Sequence, residues 1–348
     1  MLAHNIISES DEIIIIKLSS LGDVIHTLPS FSVLRQQFPE KTMTWVIGDK
    51  AKPILDLVPG LDRIVVCDFQ NKSLLSGSFW SSFFELKSEI KNRKSISLDF
   101  QGLIKSGWIS YLSKAKKRIG FHRTNLKEPS ASLFYTDHLE PVSEYRHVIK
   151  KNLQLLTLLG IRQQNIQFPL DLSPALIRST LEKLLQKGIP INQNAVVFNV
   201  GGAWQTKRWE SENWTALINS LTLTSFVPVI LWGNQKEKQV ADEISQNTGV
   251  MAAPFLSVKE VFALIHESIL VVSSDSFPLQ AACALSVPVV GLFGPTNPIR
   301  NGPFSAKDKT VFHQLDCSYC YKRKCRTLEC MKQITPQEVA HLCKEWLV

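Results

Sequence analysis

Residues 13–29 read IIIIKLSSLGDVIHTLP: four isoleucines, a lysine, a polar loop with Gly22 and Asp23, and an apolar stretch ending at Pro29. An unbroken β-branched run predicts a strand covered on both faces, as in a parallel sheet flanked by helices. The polar loop then lies at the carboxyl end of that strand, the edge where open α/β sheets bind ligands. Gly22 lets a backbone approach closely, and Asp23 begins a helix predicted over residues 23–38.

Asp23 has two interpretations at this position. It can cap the helix, because Asp is favoured in a first turn, where it faces free backbone N–H groups. It can also serve a ligand bound at the same edge. The spacing alone leaves both open.

The rest of the chain alternates strand-like and helix-like patterns. Strands are predicted at residues 42–48, 64–67, 95–100, 195–200, 226–232, 270–274 and 287–294. This alternation predicts βαβ units and parallel sheets. A chain of 348 residues is too long for one ordinary domain and suits two. Polar, proline-bearing sequence at 162–173 is the predicted connection between them.

Composition excludes several classes of protein. Hydrophobic residues make up 44% and charged residues 20%, a balance typical of globular proteins with well-formed cores. No run approaches the roughly 18 apolar residues of a membrane-spanning helix, and the N-terminus is acidic where a signal peptide is basic. We therefore expect a cytoplasmic protein. The net charge of +8 attracts anions, but motifs for nucleic-acid binding are absent, so that partner is not expected.

A second loop with binding chemistry lies at residues 201–209, GGAWQTKRW. Glycines between a strand and a helix form a phosphate cradle, in which backbone N–H groups face the anion and Lys207 neutralises it. The dinucleotide and P-loop patterns are absent, so neither an NAD site nor an ordinary ATPase site is predicted. Asp275 follows another strand, where a carboxylate can order a sugar or pyrophosphate.

Several segments resemble glycosyltransferase family 9, in particular its lipopolysaccharide heptosyltransferases of type I. They are KLSSLGDVIHTLP at 17–29, DFQGLIKS at 99–106, EPSASLFY at 128–135, GGAWQTKRWE at 201–210 and GPTNP at 294–298. The resemblance implies a GT-B fold, in which two Rossmann-like domains face a central cleft. It also implies an inverting transfer of heptose from ADP-heptose.

The resemblance assigns roles to individual residues. Asp23 is implied as the catalytic base, and Lys207 as the cation that meets the donor pyrophosphate and stabilises the leaving ADP. Acceptor contacts are implied at Ser20, Gly22, Gln101, Lys105, Arg118 and Arg123. Donor contacts are implied at Gly201, Gly202, Ala203, Lys207, Glu237, Asp275, Ser276 and Gln280.

Two positions depart from the family pattern D-[ST]-G-x-x-H that begins at Asp275. Phe277 replaces the glycine and Gln280 replaces the histidine. Glutamine cannot carry the charge of a histidine, and a phenylalanine does not permit the close backbone approach of a glycine. We expect altered donor specificity or weaker catalysis.

Three domain segments follow from this resemblance. Residues 1–165 form the acceptor-binding domain and residues 166–334 the ADP-sugar-binding domain. Residues 335–348 form a terminal helix, which in GT-B folds packs back toward the first domain.

Four of the seven cysteines fall together at Cys317, Cys320, Cys325 and Cys330, and residues 317–330 are called the cysteine loop. Four thiolates in a basic loop can hold a tetrahedral Zn or Fe ion. Reduced thiols that pack a small loop are an equally good interpretation. Similar tails occur in family 9, where autotransporter heptosyltransferases use such cysteines for iron. No cofactor is expected to be required for catalysis.

We therefore predict an inverting glycosyltransferase that moves a heptose from ADP-heptose to the Kdo/inner core of lipid A in lipopolysaccharide biosynthesis. Alternatives are heptosyltransferase II, a protein heptosyltransferase or a non-catalytic nucleotide-sugar-binding module. Lysines and arginines cluster at 114–118, 146–151 and 322–324. Each cluster is typical of a solvated face, but together they favour lipid A phosphates and the anionic cytoplasmic face of the inner membrane, with peripheral contact.

Overall fold

The structure is a computed structural model that describes residues 9–67, 85–162, 166–221, 226–305 and 307–347. The chain divides into two compact units, Met1–Asp171 and Leu172–Val348. The predicted domain boundary, after residue 165, directly follows residues 163–165, which lie outside the described ranges. Within those ranges, no helix combines the length and the apolarity that a membrane crossing requires.

The first unit is built on a parallel sheet with the strand order β3-β2-β1-β4-β5-β6. Its strands are β1 (Glu12–Ile16), β2 (Thr42–Ile47), β3 (Arg63–Val66), β4 (Ser95–Asp99), β5 (Lys117–Gly120) and β6 (Asp137–His138). Its helices are α1 (Leu21–Ile25), α2 (Leu28–Gln37), α3 (Lys52–Leu55), α4 (Ile104–Leu112) and α5 (Val148–Leu155). The order reverses between β1 and β4, which is the switch point of a Rossmann-like sheet.

The isoleucine run forms β1 as predicted, and all four isoleucines are fully buried. The helix predicted over 23–38 is instead divided into α1 and α2. Pro29 lies in the first turn of α2. Because proline has no N–H to donate, it suits the start of a helix and not its interior.

The second unit repeats the architecture, with a parallel sheet in the order β11-β10-β9-β7-β8. Its strands are β7 (Ala195–Asn199), β8 (Val227–Leu231), β9 (Ser268–Ser274), β10 (Val289–Phe293) and β11 (Lys309–Phe312). Its helices are α6 (Pro174–Leu185), α7 (Ser211–Leu221), α8 (Gln235–Thr248), α9 (Val258–His266), α10 (Phe277–Ala284), α11 (Pro298–Asn301), α12 (Glu329–Lys332) and α13 (Pro336–Lys344).

The terminal helix α13 contributes to the core of this second unit. It packs against α7, β10 and β11, and its Val339 and Cys343 are fully buried in the same cluster as Trp209 and Trp214. The two indoles meet edge to face, with ring centres 5.1 Å apart. The apolar face of α13 lies inside the second unit. The packing toward the first domain that the sequence predicted stays a prediction.

Leu217 on α7 tests this core against an exposed leucine of the same unit. Leu217 is fully buried, whereas Leu185 at the end of α6 is largely exposed. We expect Leu217→Ala to lower the free energy of unfolding by about 2–5 kcal/mol, because it leaves a cavity. Leu185→Ala should change it by less than about 0.5 kcal/mol. Urea unfolding followed by circular dichroism measures both, and equal losses would contradict this packing.

Candidate functional site

Asp23 lies in the first turn of α1, at the carboxyl end of β1, and is half-buried. Its Oδ2 accepts hydrogen bonds from the Ser20 N–H at 3.1 Å and from the Ser20 hydroxyl at 2.8 Å. The carboxylate therefore makes the helix-capping contact that the sequence allowed. Within the described ranges, Asp23 Oδ1 accepts no hydrogen bond, so one carboxylate oxygen is held and the other is available to a ligand.

The electrostatic surroundings keep Asp23 ionised. Burial opposes its charged form, but the charges of Lys17 and His26 and the two Ser20 donors outweigh burial and lower its pKa below the ordinary value. Lys17 is buried, and its Nζ donates to the Phe100 carbonyl at 3.1 Å. No role was predicted for Lys17 from the sequence, although its place directly after the isoleucine run was a usable signal.

Gln101 joins the two loops at the switch point of the first sheet. Its Oε1 accepts hydrogen bonds from the N–H groups of Leu18 and Ser19, each at 3.1 Å. Because β1 pairs with β4, the loops that follow these strands leave the sheet side by side. Gln101 therefore positions the loop that carries Asp23.

Asp99, the last residue of β4, holds the loop that follows this strand. It is fully buried, and it accepts hydrogen bonds from the N–H groups of Gln101 and Gly102 and from the hydroxyls of Ser106 and Tyr135. Burial raises the pKa of Asp99 and outweighs these donors. Burial and the neighbouring Asp99 likewise raise the pKa of Tyr135. This network fixes the start of α4.

The six predicted acceptor residues do not all lie at the same place on the first sheet. The structure brings five of the six to the carboxyl edge of the first sheet: Ser20, Gly22, Gln101, Lys105 and Arg123. Arg123 is exposed in the 3₁₀ turn after β5. Arg118 lies within β5 opposite Ser97, and its Nε donates to the Phe134 carbonyl at 2.8 Å. This hydrogen bond ties the guanidinium to the 3₁₀ turn that ends at Phe134, so the side chain is not directed toward the loop of Asp23.

In the second unit, Lys207 and Asp275 form an ion pair beside the loop 201–203. Lys207 Nζ lies 2.7 Å from Asp275 Oδ2 and 3.1 Å from the Asp275 carbonyl oxygen. Only 12% and 10% of the two side chains are exposed, so the pair is largely desolvated. Lys207 Nζ also lies 4.4 Å from the centre of the Trp204 ring, and the guanidinium of Arg323 lies 5.2 Å from the same ring. Arg323 was noted in the sequence only as part of the basic cluster 322–324, and its place beside Trp204 was not predicted.

Glu237, in the first turn of α8, holds the glycine loop by hydrogen bonds. Its Oε1 accepts from the Gly202 N–H at 3.1 Å and from Arg208 at 3.3 Å, while its Oε2 accepts from the Gly233 N–H at 2.9 Å. A Cβ on Gly201 would lie 2.5 Å from Glu237 Oε2, so a larger residue there would force the Glu237 carboxylate to move. The sequence predicted a donor contact for Glu237, and the bonds within this unit give it a positioning role.

Ser276 and Asn199 connect neighbouring strand ends in the second unit. Asn199 Nδ2 donates to the hydroxyls of Ser273 and Ser276 at 2.9 and 3.0 Å and to the Gly201 carbonyl at 3.2 Å. Because β7 pairs with β9, Asn199 can hold both loops together. The predicted donor residues at 201–203, 207 and 275–276 therefore share one edge.

The two departures from the family pattern are accommodated by packing. Gln280 is buried on α10, and its Nε2 donates to the Asn301 carbonyl at 2.8 Å. The Phe277 ring packs against the buried Phe262 of α9, with ring centres 5.5 Å apart. Gln280 thus has a structural partner at the end of α11, which the sequence pattern did not indicate.

The cysteine loop lies against the glycine-loop region, since Thr206 Oγ1 donates to the Lys322 carbonyl at 2.7 Å. Its four cysteines form no disulfide bond within the described residues, and Cys317 and Cys325 are exposed. Burial and the neighbouring thiols, among them Cys317 and Cys320, raise the pKa of Cys330. Yet nowhere in the described ranges are three His, Cys, Asp or Glu side chains arranged to hold a metal ion. The Zn or Fe site therefore stays a prediction.

Comparison with known proteins agrees with this architecture. The model of the family described as Glycosyltransferase family 9 (heptosyltransferase) matches residues 83–331. Lipopolysaccharide heptosyltransferase 1 of Pseudomonas aeruginosa is 28% identical over 323 residues, which cover 90% of this chain and 87% of that protein.

Two solved structures share the fold. The glycosyltransferase family 9 protein of Veillonella parvula has a TM-score of 0.80 at 20% identity and covers 97% of both chains. Escherichia coli heptosyltransferase WaaC with ADP has a TM-score of 0.76 at 23% identity and covers 96% of this chain and 99% of its own. The predicted class, a GT-B fold with two Rossmann-like domains, is confirmed.

Adjacent glycines provide a matched test of the glycine loop. A Cβ on Gly202 would make only ordinary contacts, the nearest at 3.5 Å, whereas one on Gly201 would collide with Glu237. We expect Gly201→Ala to lower the free energy of unfolding by about 1–3 kcal/mol. Gly202→Ala should change it by less than about 0.5 kcal/mol. Thermal unfolding of both variants checks this, and a larger loss in Gly202→Ala would contradict the contact.

Proposed function

The chain belongs to glycosyltransferase family 9, and on that premise we propose that it transfers a heptose from ADP-heptose to the Kdo/inner core of lipid A, with inversion at the anomeric carbon. One observation carries the proposal. An ionised carboxylate, Asp23, lies in the first turn of α1 beyond the carboxyl end of β1, and a largely buried Lys207–Asp275 pair lies at the carboxyl edge of the sheet in the second unit. The names of the Pseudomonas relative and of the ADP-bound Escherichia coli structure support the choice of substrates.

The proposed donor site is the glycine loop of the second unit. The Gly202 N–H is already bonded to Glu237, so the group of this loop that we propose to meet the phosphates is the ammonium group of Lys207. Asp275 keeps the ammonium group oriented, because it holds Lys207 by both its carboxylate and its carbonyl oxygen. This charge stabilises the ADP as it leaves. The proposed transfer therefore needs no metal at the phosphates, and no step is assigned to a Zn or Fe ion at the cysteine loop.

Asp23 is the proposed base. Its Oδ1 takes the proton from the acceptor hydroxyl, the hydroxyl oxygen forms a bond to the anomeric carbon, and the bond between that carbon and the ADP oxygen breaks. The lowered pKa keeps Asp23 ready as a carboxylate at neutral pH. A base of such low pKa removes the proton late, after the forming bond has made the hydroxyl acidic. Ser20 fixes the other oxygen, so that Asp23 keeps one orientation.

Gln280 supports a second candidate function. Its amide is uncharged, and the Asn301 carbonyl accepts one of its hydrogen bonds. A family 9 transferase with another donor or acceptor, such as heptosyltransferase II or a protein heptosyltransferase, fits this departure. A nucleotide-sugar-binding module without catalysis would retain the Lys207 site but would show no turnover.

Asp23→Asn tests the proposed base. We expect kcat/KM for transfer to fall about 10²–10⁴-fold, because the amide cannot accept the proton. The Kd for ADP, measured by calorimetry, should change less than about twofold, since Asp23 does not belong to the donor site. The exposed Asp56→Asn is the matched control and should keep wild-type activity. Retained turnover in Asp23→Asn would exclude this residue as the base.

The pH dependence gives an independent check on Asp23. Because its pKa is lowered, this carboxylate is half protonated only at a pH below its ordinary pKa of 3.8. The wild-type kcat/KM should therefore show no acid limb due to Asp23 above about pH 4.5. An acid limb in that range that disappears in Asp23→Asn would contradict the lowered pKa.

Lys207→Met tests the proposed donor site. We expect the Kd for ADP to rise about 10–100-fold, because a charge-assisted contact to diphosphate is lost. The single variant also leaves Asp275 without its cation, which costs stability. The double variant Lys207→Met/Asp275→Asn should recover stability but not ADP affinity. The exposed Lys236→Met should bind ADP normally. Restored ADP binding in the double variant would show that Lys207 acts only by neutralising Asp275.

A further inference from the structure

The middle of the cysteine loop is held between two other loops of the second unit. The Tyr321 N–H donates to the Pro295 carbonyl at 3.0 Å, and the Tyr321 hydroxyl accepts from the Asn297 N–H at 3.3 Å. One residue later, the Lys322 carbonyl accepts from Thr206 Oγ1 at 2.7 Å. These two residues therefore connect the turn after β10 with the glycine-loop region after β7.

This connection brings the cysteine loop to the carboxyl edge of the second sheet. In the strand order of this unit, β9 lies between β10 and β7. A segment that joins the loops after β10 and β7 crosses the end of β9, and Asp275 directly follows that strand. The residues after Tyr321 therefore reach the edge at which the Lys207–Asp275 pair lies.

Arg323 directly follows the two anchored residues. Its guanidinium lies 5.2 Å from the centre of the Trp204 ring, and Lys207 Nζ lies 4.4 Å from the same centre. Because both cations contact one ring, a single diphosphate can reach both through its two phosphates. An arginine that lies over an aromatic ring still presents its planar N–H groups to an anion.

The charges of this edge call for a further cation. Lys207 is paired with Asp275, and Arg208 with Glu237 at 3.3 Å, so each pair is close to neutral as a unit. A nucleotide diphosphate is negatively charged on both of its phosphates. Arg323 is exposed, and among the residues that the structure describes it forms no ion pair. It therefore adds positive charge that neither carboxylate cancels, and an anion beside it would also relieve its repulsion with Lys207.

We propose that Arg323 is a second donor-binding cation, which meets the diphosphate of the sugar nucleotide together with Lys207. Its guanidinium binds phosphate oxygens by paired hydrogen bonds, whereas the ammonium group of Lys207 acts as a point charge. The cysteine loop then forms part of the donor site, and Trp204 orients the arginine. This inference rests on the proposed donor site and adds a residue to it.

Calorimetry of the full chain with ADP and with adenosine tests the role of Arg323. We expect Arg323→Gln to raise the Kd for ADP about tenfold, because a charge-assisted contact to phosphate is lost. The Kd for adenosine should change less than about twofold, since adenosine has no phosphate to lose. Arg323→Lys should recover part of the ADP affinity, because lysine keeps the charge but not the paired hydrogen bonds.

Two neighbouring cations of the cysteine loop serve as matched controls. Lys324 and Arg326 are both exposed, as Arg323 is. Lys324→Gln and Arg326→Gln remove the same charge and should bind ADP within about twofold of wild type. If either control loses as much ADP affinity as Arg323→Gln, the general charge of the loop attracts ADP and the inference is overturned.

A merely structural role of Arg323 has a different signature. If Arg323→Gln weakens adenosine binding as much as ADP binding, the arginine only holds the loops in place, and the inference is wrong. It is equally wrong if Arg323→Gln binds ADP as wild type does. A rise in KM for the acceptor without a change in the Kd for ADP would place Arg323 on the acceptor side and would also overturn it.

Failure of this inference and failure of the proposed function give different results. If ADP binds through Arg323 but no heptose is transferred, the inference stands and the transferase proposal fails. If heptose is transferred and the Kd for ADP is unchanged in Arg323→Gln, the inference is wrong and the transferase proposal stands. If wild-type protein does not bind ADP, both are wrong.

Discussion

Parallel pairing of one strand with neighbours on both sides is the constraint on which each unit depends. In the first unit β1 lies between β2 and β4, and in the second β7 lies between β8 and β9. The connections on the two sides of such a strand run in opposite directions across the sheet. The loops at the carboxyl ends of the strands therefore diverge, and the space between them stays open to a ligand. Asp23 follows β1 and the glycine loop follows β7, which is why the proposed chemistry lies at these two edges.

Side-chain hydrogen-bond acceptors hold the loops at these edges. Gln101 and Asp99 fix the loops after β1 and β4, and Glu237 fixes the glycine loop after β7. A buried carboxylate is costly unless several donors satisfy it, so a satisfied one locks the backbone that provides the donors. Asp23 and Asp99 show how context decides the role of a residue. Nearby cations lower the pKa of Asp23, whereas burial raises that of Asp99.

Local sequence patterns were enough to predict eight of the eleven strands in the described residues and the position of the two loops, whereas the short strands β5, β6 and β11 were missed. The isoleucine run, the glycines after β7 and the alternation of elements depend on near neighbours in the chain. Distant contacts decided what the sequence could not predict. Arg118 is held by the Phe134 carbonyl, Gln280 by the Asn301 carbonyl, and the glycine loop by Glu237 from α8. The packing of α13 likewise depends on distant contacts, because its apolar face packs against core residues far away in the sequence.

The central claim is an inverting transfer from ADP-heptose that uses the edges of both units. The most direct measurement incubates the full chain with ADP-heptose and Kdo-bearing lipid A, then analyses the products by mass spectrometry and by NMR of the anomeric centre. The account predicts one heptose added per acceptor, one ADP released for each transfer, and inverted configuration at the anomeric carbon. Retained configuration, or ADP release without a glycosylated acceptor, would contradict it.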